Sequence, residues 1–319
     1  MGVYLGIDTS CYTTSVACVD ETGIVYDKRT VLCVKLGERG LRQSDGLFQH
    51  VRNLDALLPE LIRGAGKEQI RAVAVSVRPR PDEKSYMPVF LAGRMAADTL
   101  CAALGLAPTY TSHQQGHIRA ALVQNEALIA GGQPFLGMHL SGGTTEVFEM
   151  QAGLSTLLLG GTTDLHAGQF VDRLGVRMGL PFPCGRHMEA LAREAGQSNV
   201  KLPASVNGLN CSFSGVETAA QALQGRMGDA ELAYAAYDCM ARTFAKVLLN
   251  AVALAGHNKV LLAGGVASSE LLRRLLRERL AQHEIELHFA LPELSGDNAV
   301  GVALLAKDES QPCGGGCAR

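Results

Sequence analysis

One plan is written twice along this chain, and that repetition limits the folds open to it. Val3-Tyr4-Leu5-Gly6-Ile7-Asp8 reads as a buried strand, Thr13 to Val19 as a second, and Ile24-Val25-Tyr26, after a turn at Glu21-Thr22-Gly23, as a third. The second half repeats the pattern. Phe135 to Leu140 is a strand, Ser141-Gly142-Gly143 a turn, Thr144 to Met150 an alternating run, and Leu154 to Leu159 a third strand after Gln151-Ala152-Gly153. Both first turns are rich in Gly, Ser and Thr, whose bare N–H groups and hydroxyls suit phosphate oxygens. Two unrelated hairpins would look much the same, so the helices and strands that follow carry the argument further.

They follow in the same order in both halves. Leu47, Val51, Leu54, Leu57, Leu58, Leu61 and Ile62 form a helical stripe over 47–63. Ile70 to Val77 is a buried strand and Val89 to Leu104 a small-residue helix. In the second half Ala230 to Ala255 is a long helix, Lys259 to Leu262 a strand, and Gly264-Gly265-Val266 a turn. Ser268 or Ser269 then caps a helix running to about Ala281. Leu287 to Leu291 is a strand, and Ala299 to Ala306 an Ala-rich helix. The expectation is an α/β chain of two related domains, 1–132 and 133–307, with a cleft between them and a disordered Cys/Gly-rich tail at 308–319.

Length and composition agree. A chain of 319 residues makes about two domains at roughly 150 residues each. With 47% hydrophobic and 19% charged residues it is not a disordered chain. A formal charge of −2 excludes a nucleic-acid binder recognised by bulk charge, though not a local basic patch. Aromatics at 5%, with no Trp, argue against a base- or sugar-stacking surface. Nine scattered cysteines and an N-terminus that runs straight into a strand point to free thiols in a reducing cytoplasm. The apolar stretch 91–106 carries Arg94 and Asp98, so no membrane span is expected.

His113-Gln114-Gln115-Gly116-His117 sets two imidazoles four residues apart, on one face of a helix and within reach of one metal ion. As bare spacing this is equally two solvent-facing histidines at a helix start. Zinc peptidases place a Glu after the first His as general base. Gln114 cannot take a proton, so that mechanism is not expected here. Asp297, before the last helix, is either an N-cap or a third ligand. Two His and one carboxylate would leave positions open for a substrate oxygen. Gly264 and Gly265 end a strand where α/β sheets bind ligands, and bare backbone there admits a flat ring such as adenine. Asp172 is either a ribose ligand or a surface ion pair.

Taken together these motifs resemble one family: the tRNA threonylcarbamoyladenosine synthase catalytic subunit, long labelled O-sialoglycoprotein endopeptidase or glycoprotease. It belongs to the actin, sugar kinase and Hsp70 ATPase-fold superfamily. The markers are Gly6-Ile7-Asp8-Thr9-Ser10-Cys11, the His113/His117 pair, Leu140-Ser141-Gly142-Gly143-x-Thr145 and Ala167-Gly168-x-x-x-Asp172. Cys211-Ser212-Phe213-Ser214-Gly215, Gly264-Gly265-Val266 and Asp297-Asn298 complete them. The resemblance implies two RNase-H-like domains with nucleotide in the cleft. It implies one divalent metal, iron or zinc, on His113, His117 and Asp297. It places His139, Leu140, Ser141, Gly142, Gly143, Asp172 and Gly185 on substrate positions, with Gly264, Gly265 and Ser269 on the nucleotide side. The implied reaction passes a threonylcarbamoyl group from its adenylate to the tRNA adenosine next to the anticodon, with tRNA and a protein of the same superfamily as partners.

The sequence also departs from that family. Tyr12-Thr13-Thr14 stands where the family has Asp-Glu-Thr. Val77-Arg78-Pro79-Arg80-Pro81 replaces an open Gly-Pro-Gly-Leu loop, Thr144 replaces a His after Ser-Gly-Gly, and Ser269 replaces an Asn. Arg78 and Arg80 become candidate anion ligands, unless Asp82 and Glu83 neutralise them. The family's transfer reaction is the first expectation. A diverged paralogue with another small substrate, and a non-catalytic partner subunit, are the alternatives.

Overall fold

The fold is that of a computed structural model, which describes residues 2–10, 12–34, 41–82, 84–130, 132–151 and 154–310. The chain up to Ala120, joined by the segment from Asp297, forms one compact unit, and Ala121–Gly296 forms the other.

The first unit contains β1 (Val3–Ser10), β2 (Thr13–Val19), β3 (Ile24–Val31), α1 (Gln43–Ala65), β4 (Ile70–Arg78), α2 (Phe90–Leu104), β5 (Pro108–Ser112) and α3 (His113–Ala121). Its sheet has the order β3-β2-β1-β4-β5. β1, β2 and β3 pair antiparallel, whereas β4 and β5 add in parallel. β1 and β2 are buried throughout, so their inward and outward faces are both apolar or hydrogen-bonded. Leu54, Leu57 and Leu61 of α1 pack on this sheet with Ala97 and Cys101 of α2. The helical stripe is narrower than expected: Val51 stays 43% exposed.

The second unit runs α4 (Ala127–Ala130), β6 (Phe135–Leu140), β7 (Thr145–Met150), β8 (Thr156–Gly161), α5 (Ala167–Arg177), α6 (Gly185–Ala195), β9 (Ser205–Asn207), β10 (Asn210–Ser212), α7 (Ser214–Leu223), α8 (Asp229–Ala255), β11 (Lys259–Ala263), α9 (Glu270–Leu280) and β12 (Glu286–Phe289). Its large sheet is β12-β11-β6-β7-β8. Read from the meander inwards, that is the topology of the first sheet, so the echo in the sequence is a repeated fold. α8 runs through the core and buries Leu232, Tyr237, Met240, Phe244 and Leu248.

The final helix, α10 (Val300–Ser310), differs from the linear domain reading. It packs on the first sheet, not the second, and so the last segment belongs with the first unit. Three glycines permit this. A Cβ on Gly6 would lie 2.3 Å from the Ala299 carbonyl, one on Gly116 would lie 2.8 Å from Val302, and one on Gly301 would lie 1.8 Å from the Gly116 carbonyl. The expected tail does not begin at 308. Asp308 is helical and accepts hydrogen bonds from Arg119 at 2.6 and 3.2 Å, while residues 311–319 lie outside the described residues. Among the described residues no helix is long and apolar enough to cross a membrane.

Candidate functional site

The two histidines are aimed by a local signal. Ser112-His113-Gln114-Gln115 is a capping box: the Ser112 hydroxyl accepts the Gln115 N–H at 3.2 Å, and the Ser112 N–H donates to Gln115 Oε1 at 3.1 Å. The box starts α3 at His113 and puts His117 one turn on. Their Nε2 atoms come within 3.0 Å. Asp297 Oδ1 lies 3.5 Å from His113 Nε2 and 3.3 Å from His117 Nε2. Asp297 was open to an N-cap role, but Asn298 fills that role: its Oδ1 accepts the Val300 N–H at 3.0 Å. Asp297 is thereby left to face the imidazoles.

Each separation is shorter than twice a metal–ligand distance of about 2.1 Å, so one ion can touch all three atoms. Two imidazoles and one carboxylate suit zinc or ferrous iron and leave positions open. The protonation balance fits as well. Burial opposes a charge on His113, but Asp8 and Asp297 hold it well above the ordinary imidazole value. Burial equally opposes the Asp297 charge, but His113 and His117 hold that carboxyl well below its usual range. A divalent cation can replace the proton these groups share.

Sequence reasoning missed the role of Asp8. Its Oδ2 lies 3.0 Å from His113 Nδ1, and its Oδ1 accepts the Ser76 hydroxyl. Asp8 is fully buried. A carboxylate behind the far nitrogen of a metal-binding imidazole fixes its tautomer and its aim. The available signal was a charge inside an otherwise apolar strand, which is rarely buried without a partner.

The second unit gathers the remaining candidates around the end of β6. The Val266 N–H donates to the Leu140 carbonyl at 3.0 Å, and the Gly168 N–H to the Ser141 carbonyl at 3.1 Å. Within the turn, the Gly143 N–H donates to the Ser141 hydroxyl at 3.3 Å. Gly264 is fixed by packing: its φ is +99° and a Cβ there would sit 2.3 Å from the Leu140 oxygen. Gly142, Gly143, Gly185 and Gly265 instead face open space, with nothing within 4 Å of a Cβ. His139 sits next to this turn on β6, half-buried. Asp172 accepts the Cys184 N–H at 2.8 Å, tying α5 to the loop before Gly185, and burial pushes its carboxyl up. Ser269 turns inward: its hydroxyl caps α9 by accepting the Leu272 N–H at 3.2 Å.

Asp164 was also missed. Its carboxylate accepts the Phe213 and Ser214 N–H groups at 2.8 and 3.1 Å and orders the start of α7. Partial desolvation would raise it, but the Ser214 hydroxyl and the N–H groups of Phe213, Leu165 and Ser214 bring it down to about 2.

The segments that depart from the family motifs are placed as follows. Thr14, where the family motif also has Thr, is buried and bonds His50 Nδ1 at 2.8 Å. Tyr12 is 45% exposed. Thr144 supplies the carbonyl that accepts the Ser141 N–H. Asp82 Oδ1 accepts the Lys84 N–H at 3.0 Å, and no ion pair joins it to Arg78 among the described residues. Glu83, the other expected neutraliser, lies outside them.

Comparison with known proteins gives a consistent result. A family model described as tRNA N6-adenosine threonylcarbamoyltransferase matches residues 48–304. Among proteins of that description, one from Neorickettsia sennetsu is 28% identical over 95% of this chain and 92% of its own length. One from Thermus thermophilus is 31% identical over 95% and 91%. Among solved structures, the activator of 2-hydroxyisocaproyl-CoA dehydratase from Clostridium difficile, with bound ADPNP, superposes with a TM-score of 0.55 at 17% identity, covering 97% of this chain and 95% of that one. A glucokinase of the ROK family from Streptomyces griseus, with glucose and AMPPNP, gives 0.51 at 14%, covering 96% and 100%. These last two show a shared sugar-kinase-like ATPase fold.

Proposed function

The chain belongs to the tRNA N6-adenosine threonylcarbamoyltransferase family, and from that premise we propose that it transfers a threonylcarbamoyl group from its adenylate to the tRNA adenosine next to the anticodon. The observation that carries the reading is the convergence of His113, His117 and Asp297, with Asp8 behind them. These three residues would hold one divalent ion, iron or zinc, which supplies Lewis acidity towards the substrate oxygens when bound. Asp8 keeps the His113 lone pair pointed at that position. In the second unit, the open backbone at Gly142, Gly143 and Gly265 would receive the adenylate, its N–H groups meeting phosphate oxygens. Asp172 would accept from ribose hydroxyls. The six described cysteines are free thiols, in keeping with a cytoplasmic setting. A protein of the same superfamily is the expected partner.

The test supplies threonylcarbamoyl adenylate, a tRNA reading codons that begin with A, and metal-loaded protein. Modified adenosine that disappears with His117→Ala supports the reading. A second reading, a paralogue with another small acceptor, is favoured by the replaced loop at Arg78-Pro79-Arg80. Failure to rescue a synthase-depleted strain, with metal and nucleotide still bound, would select it.

A further inference from the structure

The end of β4, the loop after it and the start of α2 border a cavity of about 180 Å³, lined by Val77, Arg78, Ser85, Tyr86, Met87, Phe90, Leu91 and Arg94 and by none of the candidate metal ligands. That volume equals roughly six waters at ~30 Å³ each. Its walls are mostly apolar, and they include Arg78, a cation that no described residue balances. Arg78 Nε is buried and has no hydrogen-bond partner, and Arg78 makes no ion pair among the described residues. Arg94, by contrast, is paired with Asp98 at 3.7 Å and lies over the Tyr110 ring. The Ser85 hydroxyl accepts the Arg80 N–H at 3.3 Å and keeps its own proton to donate. A buried guanidinium N–H left without an acceptor is costly unless a ligand supplies one.

We propose that this cavity binds a small organic carboxylate with a compact apolar body, gripped by Arg78. The two oxygens of a carboxylate match the guanidinium fork, and the Ser85 hydroxyl can satisfy a further lone pair. A phosphate would leave oxygens against Val77, Met87, Phe90 and Leu91 with no donors, so the lining selects a carboxylate. The Phe90 ring, one wall of the cavity, lies 6.4 Å from the His113 ring, so a bound carboxylate sits beside the candidate metal centre without touching its ligands. The site stands on its own lining and needs neither metal nor tRNA.

Benzoate is the probe, titrated calorimetrically into the full-length protein beside its neutral analogue benzamide and inorganic phosphate. Benzoate should bind at least about tenfold more tightly than either, the worth of one charge-assisted pair. Arg78→Gln should abolish that preference, and Arg78→Lys should restore part of it. Should Arg78→Gln fail to fold, Leu91→Trp, on the exposed side of α2, fills the cavity and should equally abolish benzoate binding. Equal affinity for benzoate and benzamide, phosphate binding as tight as benzoate, or benzoate affinity unchanged in folded Arg78→Gln or Leu91→Trp would each overturn the assignment.

Discussion

His113 and Asp8 meet across the first sheet with Nδ1 and Oδ2 3.0 Å apart, which leaves the other imidazole nitrogen facing His117 and Asp297. Asp8→Asn keeps the shape but removes the charge that favours the Nδ1–H tautomer. Zinc affinity, measured by competition with a chromophoric chelator, should fall by about 10–100-fold, while His113→Ala should abolish stoichiometric binding. If Asp8→Asn lowers the melting temperature but leaves zinc affinity intact, Asp8 is a packing residue only.

Asp297 reaches the histidines because α10 touches α3 backbone to backbone. In Gly301→Ala the new methyl would lie 1.8 Å from the Gly116 carbonyl and 2.7 Å from the Ala120 nitrogen. Neither neighbour is a flexible side-chain end, so the helix must shift. We expect a loss of about 1–3 kcal/mol in urea unfolding, as for other overpacked sites, together with weaker zinc binding. Gly64→Ala in α1 meets nothing within 4 Å and is the control. It should be neutral or stabilising by up to about 1 kcal/mol. Equal behaviour of the two variants would refute the close-packing argument.

These two contacts mark what the sequence could and could not convey. The meanders were legible because strand alternation and glycine turns are local signals. The His pair was legible for the same reason, being one helical turn. The candidate third ligand, Asp297, was legible only through the family resemblance, because an Asp before a helix can equally be its cap; the fold gives the cap to Asn298 and turns Asp297 towards the imidazoles. Gly6, Gly116 and Gly301 carry no side-chain signal, and their need for bare backbone exists only once β1, α3 and α10 are in contact. β5 was passed over because Pro108-Thr109-Tyr110-Thr111-Ser112 begins with proline and is mostly polar; as an edge strand it pairs with β4 alone. The β9–β10 hairpin was overlooked although it carries a local signal, Asn207-Gly208, where Gly208 takes a φ of +60°.

Asp164 gives the second unit a pH dependence with a definite sign. Its carboxyl sits at about 2 in the folded protein against 3.8 as its ordinary value. A lowered folded value means that its contribution is complete above the ordinary value and is lost as pH falls through the folded one. Urea midpoints should therefore decline more steeply between about pH 4 and pH 2 in the wild type than in Asp164→Asn. The side chain is exposed, so solvent screening keeps the difference small. Parallel curves for the two proteins would show that the Ser214 and Phe213 hydrogen bonds do not stabilise the ionised form.

The adjacent glycines Gly264 and Gly265 provide the sharpest separation of packing from binding. Gly264 has φ +99°, a conformation that costs an L-residue of order 1–3 kcal/mol, and its Cβ would also collide with the Leu140 oxygen. Gly265 is not among the positive-φ residues and its Cβ would point into open space. Gly264→Ala should therefore lower the melting temperature and weaken nucleotide binding together, because the turn that holds the end of β6 is disturbed. Gly265→Val should leave the melting temperature within about 2 °C of the wild type, as expected for a change below ~0.5 kcal/mol. It should nevertheless reduce the affinity for AMP, measured calorimetrically, by at least about tenfold, since the isopropyl group occupies the space over the bare backbone. AMP affinity unchanged in a fully stable Gly265→Val protein would remove this turn from the nucleotide site, whatever the outcome at Gly264.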